Sequence, residues 1–282
     1  MKLWMNGKIV ARKHVQLSPF DHGLMYGHGC FETFRSYGGK VPFFDYHFMR
    51  MLRALNVLKV SFPYSSAILN NAVEQLLEQA KGRDCVFRLT VTAGEWSEVG
   101  YTKPNAWMTA AILGSTIRGV EKRGKWLIKN YSPRAYGLEV RGLQYSDLWR
   151  GQMEVTDASK YEGIFVNERG IVTEGVRSNV FWVKNDILYT PSLSTGIVKG
   201  ITREWIIMLA RQLEIEVREG EFECADVESA EECFLTNSID ELIPLNRIGR
   251  SRFAGAEGPM YNRLHQAYIY IIEQRIKGEL LC

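Results

Sequence analysis

Residues 161–185 read YEGIFVNERGIVTEGVRSNVFWVKN, and this stretch decides the fold class. Two apolar runs, YEGIFV and IVTEG, flank the turn residues Asn-Glu-Arg-Gly, and NVFWVKN follows as a third run. Short runs rich in β-branched and aromatic residues and bounded by glycine and asparagine are typical of strands. Because three strands follow one another here without a helix, the pattern favours an α+β arrangement over a regular alternation of strands and helices.

The rest of the chain is predicted to mix helices and strands in the same irregular way. Asn6-Gly7 predicts a tight hairpin turn, and the glycine-rich stretch 22–44 predicts strands joined by tight turns. Further strands are predicted at 85–93, 106–113 and 125–131, in EIEVREGEF and in ECFLTN, and helices at 45–60, 65–82, 146–159 and 200–213 and from Pro259 onward. Segment 114–125 lacks periodicity and is interpreted as a linker, which gives an N-terminal α+β domain, 1–115, and a C-terminal α/β domain, 116–282.

Composition and charge exclude several classes of protein. The 282 residues are 46% hydrophobic and 24% charged, with a formal net charge of +3, as in an ordinary globular protein. The strongest basic run, 118–125, is too weak for a nucleic-acid or membrane-surface partner. No stretch approaches the roughly 18 apolar residues of a membrane span, and no signal peptide is recognisable. Five cysteines without a CxxC pair predict free thiols and a cytoplasmic location.

Several polar residues are candidates for a phosphate site. Arg50 lies on a predicted helix and has a fork suited to phosphate, and KGITRE (199–204) places a glycine at a helix start. TNS (236–238) ends a predicted strand, and Glu174 ends another. Each also fits an ordinary surface or turn residue. His22 and His28 lack a metal-ligand spacing, so no metal site is predicted.

The order of the motifs is more specific than any one of them. The chain contains, in sequence, GHGCFETFR, HFMRMLRAL, TEGVRSNVFWV, GITRE and FLTNSIDELIPL. This order resembles the class IV (fold type IV) pyridoxal-phosphate aminotransferases, which include branched-chain aminotransferases, D-amino-acid aminotransferases and aminodeoxychorismate lyases. The resemblance spans residues 4–250. It implies a two-domain α/β fold with pyridoxal 5′-phosphate between the domains, a small amino-acid-like substrate and a homodimer.

The resemblance also implies roles for individual residues. Arg50, the backbone N–H groups of Ile201 and Thr202, and the hydroxyl of Ser238 would bind the cofactor phosphate. Glu174 would face the pyridine nitrogen, and Tyr145 would lie near the ring 3′-oxygen. Phe31 and Tyr101 are candidates for the substrate pocket; both also fit plain packing.

The chain departs from the family pattern at the catalytic lysine. Counting back from Glu162 puts the lysine position at Arg141, in EVRGLQYSDLW (139–149). The spacing of the branched-chain subgroup, which has one extra residue, would put it at Val140 instead, and neither residue is a lysine. A lysine amine links covalently to the cofactor and moves a proton, whereas arginine stays protonated and does neither. Tyr145 then remains as a candidate base, and Lys129 or Lys160 as a substitute lysine.

Two functions remain open at this stage. The first is a lyase or an aminotransferase; the D-amino-acid activity is disfavoured because VTAGEWSEVGYT lacks the R-x-H pair of that group. The second is a non-catalytic member that binds pyridoxal phosphate, or another phosphorylated ligand, without a covalent link.

Overall fold

The computed structural model describes residues 2–98, 100–101, 103–114, 119–128, 140–144, 146–155, 157 and 159–279. By its internal contacts the chain divides into two compact units. The first comprises Met1–Ser115 with Glu139–Gln144, and the second comprises Thr116–Leu138 with Tyr145–Cys282. A single boundary at residue 115 stays a prediction; the assignment of 139–144 to the first unit was not indicated by the sequence.

The first unit is built on an antiparallel sheet. Its strands are β1 (Lys2–Met5), β2 (Lys8–Ala11), β3 (Gly29–Arg35), β4 (Cys85–Thr92), β5 (Trp96–Ser97), β6 (Gly100–Tyr101) and β7 (Asn105–Ile112). Its helices are α1 (His22–Tyr26), α2 (Phe44–Val57) and α3 (Ser66–Gln79), with a 3₁₀ turn at Arg12–His14. The sheet order is β2-β1-β7-β4-β3, and β5 pairs separately with β6.

Local sequence signals account for much of this unit. The predicted hairpin is confirmed: Met5 pairs with Lys8, and Asn6 and Gly7 both have positive φ, +47° and +91°. The two predicted long helices are α2 and α3, and the Ser65 side chain caps α3 by accepting the Ile68 N–H.

Helices α2 and α3 bury their apolar stripes against the sheet. Met51, Leu55, Leu69 and Leu76 form a core with Phe87 of β4, and each is at most 2% exposed. Burying one such side chain contributes roughly 1.5–3 kcal/mol. This packing fixes α2 against β3.

Residues 140–144 cover the free edge of β3. The Phe31 N–H donates to Arg141 O at 3.0 Å, and the Leu143 N–H donates to Gly29 O at 3.2 Å. Val140 is 2% exposed and belongs to the core of the first unit. An edge strand that would otherwise present unpaired backbone groups is thereby paired.

The second unit holds a larger mixed sheet. Its strands are β8 (Lys122–Ile128), β9 (Tyr161–Val166), β10 (Val172–Gly175), β11 (Asn179–Lys184), β12 (Ile187–Pro191), β13 (Val217–Gly220), β14 (Glu232–Asn237), β15 (Glu241–Ile248) and β16 (Ser251–Arg252). The order is β10-β9-β8-β15-β14-β11-β12-β13, and β16 pairs with β15. The helices are α4 (Ser146–Glu154), α5 (Ile201–Gln212), α6 (Cys224–Glu228) and α7 (Pro259–Lys277), with 3₁₀ turns at Leu193–Thr195 and Gly255–Glu257.

Both faces of this sheet are packed. On one face Phe181 and Phe234 stack at 5.4 Å, and Tyr261 of α7 contacts Phe234. On the other, Trp182 and Leu235 form a core with Val227 of α6. The α+β interpretation is confirmed: helices cover a mixed sheet without a regular βαβ order.

Two predictions are wrong. Segment 114–125 was predicted to be a linker, but its last residues, 122–125, belong to β8 (Lys122–Ile128), which lies inside the sheet. A Cβ at Gly124 would lie 2.5 Å from Ile248 Cγ1, so β8 needs a glycine at this buried position. Because a glycine stands where an apolar side chain would be expected, the alternation of apolar and polar residues that predicts a strand is interrupted. The glycine-rich stretch begins with α1 rather than a strand, since the Asp21 side chain caps Gly23 N–H and Gly27 ends the helix with φ +68°.

The predicted helix over 146–159 is shorter than expected, because α4 ends at Glu154. Residues 156 and 158, and those of the predicted strand 125–131 beyond Ile128, lie outside the described part of the chain. Strand β15 was not predicted, since Pro244 interrupts its pattern.

Candidate functional site

A buried cluster of charges joins β3 to α2. The Arg50 guanidinium donates to the Glu32 carboxylate through Nε (2.7 Å to Oε1) and Nη2 (2.8 Å to Oε2). His47 Nδ1 lies 2.7 Å from Glu32 Oε2. His47 and Arg50 share one face of α2 because they are three residues apart. Each of the three is at most 3% exposed.

The environment of this cluster sets its charges. Burial acts to raise the pKa of Glu32, but the charge and hydrogen bonds of Arg50, aided by His47, outweigh it and hold that pKa well below its usual range. Burial lowers the pKa of His47 against the opposing effect of Glu32, and the charges of Arg50 and Arg141 lower it further. At neutral pH, Glu32 is therefore ionised and His47 is neutral.

The sequence identified Arg50 but missed its carboxylate partner. The structure engages Nε and Nη2 of Arg50 with Glu32, so this arginine is held in a fixed orientation inside the first unit. The signal that points to Glu32 is its place in GCFETFR, close to the apolar residues Phe31 and Phe34. A carboxylate on the buried face of a strand requires a charged or hydrogen-bonding partner.

Arg141 lies against Phe31. Its guanidinium carbon is 4.7 Å from the centre of the Phe31 ring, and that of Arg88 is 3.6 Å from the same centre. Phe31 is 2% exposed. The proposed substrate residue Phe31 is therefore a buried ring in contact with two guanidinium groups, one of which occupies the predicted lysine position.

Tyr101, the other substrate candidate, lies in a chain of hydrogen bonds. Its hydroxyl is 3.1 Å from His22 Nδ1 and 2.9 Å from His28 Nδ1, and His28 Nε2 is 2.9 Å from Leu58 O. A carbonyl only accepts, so His28 carries a proton on Nε2 and donates it to Leu58 O. The half-exposed Tyr101 is thus held from both sides.

In the second unit, Glu174 is the last residue but one of β10. It is 3% exposed, and its Oε2 accepts the Val198 N–H at 2.9 Å. This bond ties the end of β10 to the turn that leads into α5. The sequence correctly placed Glu174 at a strand end, and the structure adds that the side chain is buried.

The start of α5 has no side-chain cap. Gly200 is the N-cap residue, and the first helical bond that uses its carbonyl comes from Glu204 N–H at 3.0 Å. The N–H groups of Ile201 and Thr202 precede that bond and have no intrahelical acceptor. A Cβ at Gly200 would lie 2.0 Å from Asn179 Oδ1, so the close approach of the two segments requires glycine.

The turn after β14 carries the remaining candidate. Ser238 is half-buried, and the Asn237 carboxamide oxygen accepts the N–H groups of Ile239 and Asp240, at 2.8 and 2.7 Å. Thr236 is 1% exposed, and its hydroxyl has no hydrogen-bond partner in the described part of the chain.

Arg203 and Glu162 are among the buried charges of this unit that escaped the sequence interpretation. Arg203 is fully buried and donates to Glu219 at 2.7 Å and to Pro191 O at 3.0 Å, which fastens α5 to β12 and β13. Glu162 accepts the Arg177 N–H and the Ser178 hydroxyl, each at 3.1 Å. Burial, which outweighs these bonds, raises the pKa of Glu162.

Three further candidates concern the predicted lysine position. Tyr145 and Lys129 lie outside the described residues. The Lys160 side chain is 74% exposed and lies 3.4 Å from Asp157, an arrangement typical of a surface lysine.

The described residues contain no group of three or more His, Cys, Asp or Glu side chains placed to hold a metal ion. Among the helices that the structure describes, none is long and apolar enough to cross a membrane.

Comparisons with known proteins agree on one family. Residues 29–248 match the model of Amino-transferase class IV. The chain is 34% identical over 274 residues to an aminodeoxychorismate lyase of Bacillus subtilis (94% of this chain and 93% of the relative). It is 27% identical over 273 residues to a D-alanine aminotransferase of Bacillus licheniformis (95% of each).

A solved structure has the same fold. The branched-chain amino acid aminotransferase of Thermobaculum terrenum, solved in its PLP-form (holo-form), superimposes with a TM-score of 0.84 at 21% identity. The match covers 97% of this chain and 94% of the other.

Proposed function

The chain belongs to the class IV aminotransferase family, and from that premise we propose that it binds pyridoxal 5′-phosphate and acts on a small amino-acid-like substrate. The observation that carries the proposal is the start of α5, an uncapped helix end beside the buried carboxylate of Glu174. The solved relative in its PLP-form supports the choice of cofactor.

The second unit fits the phosphate of this cofactor. The N–H groups of Ile201 and Thr202 and the positive end of the α5 dipole favour an anion. The buried Thr236 hydroxyl, unpartnered among the described residues, is a group that a ligand oxygen would satisfy. Ser238, two residues further on, is proposed to add its hydroxyl.

Arg50 and Glu174 are proposed to bind the two ends of the cofactor. Arg50 would contribute positive charge to the phosphate while Glu32 holds its orientation. Glu174, oriented by Val198 N–H, would bind the protonated pyridine nitrogen. When bound, pyridoxal phosphate supplies an electron sink for the bond that breaks at the substrate carbon.

Arg141 changes how the cofactor is held. A guanidinium stays protonated and forms no stable covalent bond to an aldehyde, so we propose that the cofactor is bound without a covalent link at this position. Arg141 would instead provide fixed positive charge above Phe31, with Tyr145 as the proposed base.

Among the family activities, the aminodeoxychorismate lyase class is proposed first. The support is 34% identity across 94% of the chain, against 27% for the D-alanine aminotransferase. A non-catalytic member that only binds the cofactor is the second candidate, motivated by Arg141 alone. The relatives that match along nearly their whole length are named as enzymes, and this does not favour the non-catalytic candidate.

The cofactor proposal is tested by titrating purified protein with pyridoxal phosphate, followed by borohydride reduction and peptide mapping. Arg141→Lys is compared with Arg88→Lys, a matched control because both guanidinium groups lie on the Phe31 ring. We expect absorbance changes and cofactor retention in all three proteins, and a reduced adduct at position 141 in Arg141→Lys alone.

Each other outcome has a definite meaning. No spectral change in any protein would reject the cofactor. Cofactor binding without an adduct in Arg141→Lys would show that Arg141 does not occupy the lysine position. An adduct at Lys129 or Lys160 in the unmodified protein would assign the covalent link to that lysine. Product formation from an aminodeoxychorismate-like substrate separates the lyase from the non-catalytic candidate.

A homodimer in the cytoplasm is also proposed. Phe20, Leu24, Tyr26 and Trp96 are 57–70% exposed on the first unit, and they are proposed to contact the second copy. Analytical ultracentrifugation of Leu24→Glu tests the dimer, since a monomer is expected only in the variant. Cys30 and Cys233 are buried free thiols, as in a reducing compartment.

A further inference from the structure

A cationic pocket lies on the second unit, on three neighbouring strands. The cavity has a volume of about 370 Å³. It is lined by Arg123, Gly124, Lys125, Trp126, Tyr161, Arg247 and Gly249. This volume is within the range of small-molecule sites, about 300–1,000 Å³. None of the residues proposed to bind the cofactor lines it.

Strand pairing brings the charges of the cationic pocket together. Arg123 of β8 is the direct partner of Tyr161 on β9 and of Arg247 on β15. Lys125 lies two residues along β8 and therefore on the same side of the strand as Arg123. The sequence placed Arg123 and Lys125 in its strongest basic run, but Arg247 is distant in sequence and joins them only in the fold.

These cations have neutral partners. Lys125 Nζ donates to Glu154 O at 2.8 Å, Arg247 Nε donates to Gly249 O at 2.6 Å, and Arg123 Nη1 lies 3.4 Å from the Tyr161 hydroxyl. Within the described residues no carboxylate is paired with any of the three cations, and no acidic side chain lines the pocket. All three side chains are exposed at the surface.

Like charges on directly paired strand positions destabilise a sheet. An anion between Arg123 and Arg247 would remove this repulsion. The two guanidinium groups present planar forks suited to oxyanions, Lys125 adds a point charge, and the Tyr161 hydroxyl adds a hydrogen-bond donor. We propose that the cationic pocket binds a small multivalent oxyanion, either a phosphate or a polycarboxylate.

The test uses the full chain with inorganic phosphate and citrate as probes, each compared with chloride at equal ionic strength. Binding is measured by isothermal titration calorimetry and by the shift in Tm. The variants are Arg123→Gln/Arg247→Gln and, as a control of the same charge type, Lys8→Gln on the exposed hairpin of the first unit. If phosphate binds more tightly than citrate, the ligand is assigned to the phosphate class. If citrate binds more tightly, it is assigned to the polycarboxylate class.

The double variant is expected to weaken anion binding at least about tenfold, since each charged hydrogen bond lost accounts for about that factor. In low-salt buffer without the anion it is expected to melt at a higher temperature than the unmodified protein, because the repulsion is gone. Lys8→Gln should change neither result. Equal binding by the double variant, or an equal shift with chloride, would overturn the proposal. Phosphate bound at the start of α5 would persist in the double variant, so the two sites are distinguishable.

Discussion

Replacing Glu32 by glutamine is expected to destabilise the first unit by about 3–5 kcal/mol. The substitution keeps the size of the side chain but removes the negative charge that faces Arg50, which is 3% exposed. Arg50 would keep its charge in a buried place after losing its two charged hydrogen bonds to the Glu32 carboxylate. The glutamine NH₂ group would also face the donors of Arg50 or His47. Against a total stability of roughly 5–15 kcal/mol, such a loss is large.

The pH dependence gives a second, independent prediction. The pKa of Glu32 is lowered in the folded protein, so its stabilising contribution is present above the pKa of an unfolded carboxyl, about 4.3, and is lost as the pH falls towards the folded value. The unmodified protein should therefore lose stability below about pH 4.3 more steeply than Glu32→Gln does.

Thermal unfolding followed by circular dichroism measures both effects, and the expected decrease in Tm at pH 7 is on the order of 10 °C. Glu74→Gln, an exposed glutamate on α3, is the matched control and should change stability by less than about 0.5 kcal/mol. The double variant Glu32→Gln/Arg50→Met should regain more than half of the loss, because the buried charge that loses the Glu32 carboxylate is removed as well. A loss under about 1 kcal/mol, or no recovery in the double variant, would refute the reasoning.

Three further predictions concern the second unit. Gly200→Ala places a Cβ 2.0 Å from Asn179 Oδ1, so it should lower the free energy of unfolding by about 1–3 kcal/mol and weaken cofactor retention. Gly114→Ala, where the added Cβ meets no atom within 4 Å, should have neither effect. Thermal unfolding measures the stability, and dialysis measures the retention. The pKa of Glu162 is raised in the folded protein, so the contribution of its protonated side chain to stability is lost as the pH rises through the folded pKa. The Glu162→Gln variant should therefore have a higher Tm than the unmodified protein at pH 8, but not at pH 4. Arg203→Met should lose about 2–3 kcal/mol in urea unfolding through its ion pairs, and a change under about 0.5 kcal/mol would contradict the role of Arg203 in fastening α5.

Features that depend on neighbours in sequence were predictable. The Asn6-Gly7 turn, the Ser65 cap and the glycine at the start of α5 each follow from backbone chemistry over a few residues. The placement of Glu174 at a strand end follows from the same local patterns.

Features that depend on distant partners were not predictable from patterns. The pairing of Arg50 with Glu32 joins residues 18 apart, and an arginine on a helix gives no sign of which acid it meets. Strand β15 was missed because Pro244 interrupts its pattern, yet Pro244 pairs with Phe234 of β14, and the pairing of β15 with β8 begins only at Leu245. An assignment from sequence patterns counts proline against a strand, because the pattern does not show which residues of the strand are paired with a neighbouring strand.

The placement of residues 139–144 has a consequence for protein synthesis. The chain passes from the first unit to the second after Ser115, returns at Glu139 and leaves again after Gln144. Val140 completes the core of the first unit, and the backbone of Arg141 and Leu143 completes the edge of β3. During translation the N-terminal unit therefore stays unfinished until about half of the polypeptide has left the ribosome, and a nascent chain that ends at residue 115 would display an open β edge to its neighbours.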